Sequence, residues 1–116
     1  MVLTEDPMLR GVLDVVVDHI NPRRVILFGS RARGDERPDS DYDLMIVEDE
    51  PGADVEPAIA RVGAIYVDFF DRLHPDCGPV DLLLYSQSEV DQWRGSRCNV
   101  IGIAHHEGRV VYERDR

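Results

Sequence analysis

The sequence predicts one α/β domain, and three observations carry that prediction. Its 116 residues suit a single compact domain. Stretches with apolar residues every three or four positions alternate with short β-branched runs, so helices and strands interleave along the chain. A composition of 43% hydrophobic and 31% charged residues is globular, with enough apolar material to bury a core. No internal repeat, low-complexity tract or linker divides the chain, so residues 1–116 are read as one domain.

The elements follow in order. Asp6 suits a helix cap with Pro7 at the first helical position, and Leu9, Val12, Leu13, Val16 and Ile20 then recur at helical spacing. That helix is expected to end near Asn21-Pro22. Arg24 to Phe28 is a short apolar run stopped by Gly29 and reads as a buried strand. Gly29-Ser30 opens a turn or short helix through Arg33, closed by Gly34. Asp41 to Val47 alternates, placing Asp41, Asp43, Met45 and Val47 on one strand face and Tyr42, Leu44 and Ile46 on the other. The acidic stretch from Glu48 to Glu56 reads as a solvated loop.

A second helix is expected through Ile59, Val62, Ile65, Phe69 and Leu73, ending near His74-Pro75 and covering one face of the sheet. Val80 to Tyr85 reads as a third strand that carries Asp81 among apolar neighbours. Ser86 and Glu89 form a capping box for a short helix through Trp93, and a further helix takes in Val100, Ile101 and Ala104 before Gly108. Arg109 to Tyr112 reads as a closing edge strand.

Charge and residue usage exclude several kinds of chemistry. The net charge of −10 argues against a general grip on a nucleic-acid backbone. All 13 basic residues are arginine, and without lysine neither a P-loop nor a Schiff base can form. Arg23, Arg24, Arg31, Arg33 and Arg37 outweigh Asp35 and Glu36, making one cationic island of net +3. Cys77 and Cys98 are too few for a disulfide scaffold. Neither the His74–Cys77 spacing nor the His105-His106 pair has the recurring pattern of a zinc site. No apolar run approaches the ~20 residues of a membrane span, and Glu5 and Asp6 interrupt the start, so a cytosolic protein is expected.

The segment that carries chemistry is Gly29-Ser30, ten intervening residues, then Asp41-Tyr42-Asp43. Glycine lets a backbone approach a phosphate, and the serine hydroxyl adds a donor. Two carboxylates at i and i+2 of a strand leave one face together, as bridging two divalent ions requires. Asp81, an acid among valine and leucines, needs a partner or a metal to offset its desolvation and can supply a third corner.

The run FGSRARGDERPDSDYDLMIV resembles the signature of the minimal nucleotidyltransferase (MNT) branch of the DNA polymerase β-like nucleotidyltransferase superfamily. The third acidic strand, VDLLLYS, and the closing HEGRVVYE resemble the rest of that branch, so the likeness spans nearly the whole chain. It implies a small mixed β-sheet flanked by helices. Asp41 and Asp43 would hold two Mg²⁺ ions, and Asp81 would bind the catalytic metal and help deprotonate the acceptor. Gly29 and Ser30, assisted by Arg31 or Arg33, would hold the triphosphate of ATP. The branch is similar to antitoxins that inactivate a HEPN ribonuclease toxin by moving AMP to a toxin tyrosine. After the strands and helices are assigned, no residues remain for a helical acceptor-binding domain, so a partner protein or a second copy of the chain is expected to complete the acceptor site, meeting a surface beside the Arg31 to Arg37 loop. A binding-only antitoxin and a small-molecule nucleotidyltransferase are the competing readings.

Overall fold

The computed structural model describes residues 1–37, 40–73 and 79–115. Its elements run α1 (Pro7–His19), β1 (Arg24–Phe28), α2 (Ser30–Arg33), β2 (Tyr42–Glu48), α3 (Ala58–Leu73), β3 (Val80–Ser86), α4 (Gln87–Trp93), α5 (Val100–Glu107) and β4 (Arg109–Glu113). The four strands form one sheet in the order β3-β2-β1-β4. β1 pairs antiparallel with both β2 and β4, while β2 and β3 are parallel, which makes the sheet mixed. A parallel pair cannot be closed by a tight hairpin, and α3 lies on the crossover between its two strands.

Local chemistry explains the element starts. The Asp6 carboxylate accepts the N–H groups of Met8 and Leu9 at 3.0 and 3.4 Å, capping α1 behind Pro7. Its other oxygen accepts the Tyr42 hydroxyl at 2.7 Å, so one cap also anchors the first residue of β2. Ser86 and Glu89 make the reciprocal capping box at the start of α4. Asn99 caps α5 through its contact with Ile101 N–H at 2.8 Å.

Strand alternation then sorts the core into two layers. On one face Tyr42, Leu44 and Ile46 pack with Leu9, Leu13 and Val16 of α1 and with Ile65 and Phe69 of α3. On the other, Ile26, Met45 and Val47 pack with Val90 of α4 and with Ile101 and Ala104 of α5. Burying each such aliphatic side chain contributes roughly 1.5–3 kcal/mol relative to leaving it in water. Along the outer edge of β4 runs the N-terminal segment, where Leu3 N–H meets Val111 O at 2.8 Å and Met1 O accepts Glu113 N–H at 2.9 Å. The edge expected at β4 is thereby partly covered.

One expectation changes. Glu48 is not the start of a solvated loop; it is the last residue of β2, buried, and its carboxylate receives both Arg61 nitrogens at 2.6 and 2.9 Å. An arginine fork on a carboxylate is planar and bidentate, so it fixes the first turn of α3 against the end of β2. The expected helix end at His74-Pro75, together with Cys77, lies outside the described residues.

Candidate active site

The site is built where β1 stops and β2 and β3 begin. In β2, Asp43 lies on the same face as Met45 and Val47, the face covered by α4 and α5. Parallel pairing sets Asp43 opposite Asp81, and antiparallel pairing sets it opposite Phe28, the residue before Gly29. The sheet register therefore gathers the turn and the two acids from three strands. Asp81 and Asp41 are both near enough for their charges to repel that of Asp43.

Electrostatics single out Asp43. Partial burial holds its carboxyl above the usual aspartate range, the Asp81 and Asp41 charges add to the rise, and Arg33 draws it back. Asp81, by contrast, is exposed. The expectation that Asp81 needs a partner because it is buried among leucines is corrected: it sits at the open start of an edge strand, and desolvation acts on Asp43 instead.

Gly29 has φ 77°, and a Cβ there would overlap the Asp43 Oδ2 atom. The glycine thus serves two needs at once, a left-handed backbone and contact between the turn and a carboxylate. Ala32 N–H and Arg33 N–H both bond to Gly29 O at 3.1 Å, so the N–H groups of Ser30 and Arg31 precede the first bonded turn of α2.

The two arginines of the turn have different surroundings. Arg31 donates through Nε to Ser40 O at 3.0 Å and lays its guanidinium 4.0 Å from the centre of the Tyr42 ring. It latches the loop onto the start of β2. Arg33 instead reaches Asp35 at 3.4 Å and Glu107 at 3.3 Å, and it is the arginine that acts on Asp43. Much of the cationic island is internally paired, with Arg23 on Asp49 and Arg24 on Glu113.

Glu107 went unmarked by sequence reasoning. Its Oε1 accepts the Gly29 N–H at 3.1 Å as well as the Arg33 guanidinium. The HEGR run contained it, but no periodicity or spacing relates the end of α5 to a turn so far away in sequence.

Among the described residues, no three His, Cys, Asp or Glu side chains enclose a metal ion by themselves. The Asp41, Asp43 and Asp81 set is entirely carboxylate oxygen, with a repulsion that a cation would relieve. That suits Mg²⁺, which is commonly bound by one or two carboxylates together with substrate phosphates rather than by a closed protein cage.

No curated protein matches the sequence. Among solved structures, the chain is similar to one described as the crystal structure of the toxin-antitoxin with AMP-PNP, with a TM-score of 0.58 and 20% identity over 91% of this chain and 73% of that one. The family of nucleotidyltransferase domains matches residues 9–111, a span that runs from the first helix into the last strand and takes in the turn and all three aspartates. A match of that extent is to the whole fold and not to a loop, and the chain belongs to the nucleotidyltransferase domain family.

Proposed function

We propose that this nucleotidyltransferase is a Mg²⁺-dependent protein adenylyltransferase that acts as an antitoxin, moving AMP from ATP to a tyrosine of a HEPN ribonuclease toxin. The observation that carries the reading is the pairing of Asp43 with Asp81 across β2 and β3, directly beside the Gly29 turn. The likeness to a toxin-antitoxin structure with AMP-PNP, an ATP analogue, supports both the nucleotide and the class of partner.

In this reading Asp41, Asp43 and Asp81 hold the Mg²⁺ ions, whose charge stabilises the attacking and leaving oxygens. The Ser30 hydroxyl and the backbone of the Gly29 turn hold the triphosphate. Arg33 assists them, since Arg31 is engaged with Ser40 and Tyr42. The acceptor oxygen forms a bond to the α-phosphorus, the bond from that phosphorus to the β-phosphate bridge breaks, and diphosphate leaves. Asp81, exposed at the start of β3, takes the acceptor proton.

Incubation with MgATP and the toxin should add AMP units to the toxin's intact mass, and the Asp41→Ala/Asp43→Ala double variant should add none. An unchanged toxin mass with the wild-type chain rejects the proposal. A binding-only antitoxin is favoured by one observation, the apolar outer side of α3 bearing Ile59 and Val67. Blocked ribonuclease activity without a mass change would establish it.

A further inference from the structure

Glu107 is the last residue of α5, and the residue after it decides where its carboxylate can go. At Gly108 a Cβ would overlap Ala104 O and Ile26 Cγ2 and stand 3.0 Å from Leu27 O. Only glycine lets the end of α5 lie directly on β1. Gly108 N–H closes the helix on Ala104 O at 2.9 Å, and Glu107 then reaches past Phe28 to the turn that follows β1. A single oxygen receives two donors there, the Gly29 N–H at 3.1 Å and the Arg33 guanidinium at 3.3 Å.

Both donors matter to the placement of the turn. The Gly29 N–H lies ahead of α2 and has no bond inside that helix. Rotating the Gly29 peptide would move Ser30 relative to Asp43, because the Gly29 Cα already abuts the Asp43 carboxylate. Arg33 carries 48% side-chain exposure and would be free to follow Asp35 into solvent without its second carboxylate. Immobilising such a side chain in advance spares that entropy cost when a ligand binds.

We propose that Glu107 is a positioning residue for the nucleotide: it fixes the Gly29-Ser30 turn and aims Arg33, so that the triphosphate meets a preset cradle beside Asp43. This rests on the reading of the site as a triphosphate site. A carboxylate next to a polyanion also repels it, so the sign of the effect is decisive.

The test is titration calorimetry with MgATP, alongside KM and kcat for transfer. Glu107→Ala should weaken MgATP binding and raise KM about tenfold while kcat changes by less than about threefold, since the loss of a charged hydrogen bond acts on binding and leaves the aspartates in place. Glu107→Gln keeps an acceptor for Gly29 N–H while losing the ionic hold on Arg33, and should raise both Kd and KM about threefold. Should Glu107→Ala fail to fold, the isosteric Gln variant carries the test, and a Kd equal to wild type overturns the proposal. Equal or tighter binding by Glu107→Ala overturns it too, showing a carboxylate that merely competes with phosphate. Neither result touches the nucleotidyltransferase reading. Wild-type protein that does not bind MgATP removes the reading of the turn as a triphosphate site, and the role of Glu107 with it.

Discussion

At the residue scale, Asp43 shows how a site can cost stability. Its pKa is raised in the folded chain, so the fold favours its protonated form. The corresponding stability is present below the ordinary aspartate value near 3.8 and is lost as pH rises through the folded value. Near neutral pH the ionised carboxylate therefore works against folding. Asp43→Asn should raise the Tm of the metal-free protein at pH 7, with the gain shrinking as pH falls toward 3.8. MgATP should reverse the order, because a ligand bound only by the folded wild type stabilises it by mass action. Thermal scans with and without MgATP check both signs, and a metal-free variant less stable than wild type at pH 7 contradicts them.

The element scale shows what the sequence could and could not disclose. Asp6-Pro7, the Ser86–Glu89 box and the apolar run of β1 each define an element through neighbours a few residues away, and those elements appear with boundaries within a residue or two of expectation. Strand alternation likewise sorted Tyr42, Leu44 and Ile46 from Met45 and Val47. What escaped depends on partners distant in sequence. Glu48 looks like any loop acid until Arg61 is seen across it, and Asp81 looks buried until β3 is seen to be an edge. Leaving Glu48 without its guanidinium strands a buried charge, so Arg61→Ala should cost about 2–3 kcal/mol and lower Tm by roughly 10 °C. Denaturant unfolding measures it, and a loss below about 0.5 kcal/mol would mean the pair is held no better than a surface ion pair.

Across the whole molecule, α3 is the element with two apolar sides. Ile65 and Phe69 face the core, whereas Ile59 is 85% exposed and Val67 64% exposed. The expected period holds for Val62, Ile65, Phe69 and Leu73, whereas Ile59, read as part of the same inner side, is corrected: in the first turn of α3 it lies away from the core. Tyr66 joins this helix to β3, its hydroxyl accepting the Leu82 N–H at 2.9 Å one residue beyond Asp81. A protein acceptor seated on α3 would thus lie next to the exposed acid, rather than only beside the Arg31 to Arg37 loop. Val67→Glu, at an exposed helical position, should leave Tm within about 2 °C but weaken binding of the proposed toxin partner at least about tenfold. Pull-down titration against the toxin measures this, and undiminished affinity places the partner elsewhere.

The parallel pairing of β2 with β3 also dictates when the site can exist. Asp43 and Asp81 meet only after the chain has passed through α3 and returned alongside β2, a closure over a long loop that comes slowly compared with local turns. A nascent chain that has delivered β1, the glycine turn and β2 holds two of the three aspartates and the whole turn, but not Asp81. Glu107 arrives later still, just ahead of the final strand. The cluster is therefore assembled only after β3 and then α5 have joined the sheet, because Asp81 and Glu107 come from them.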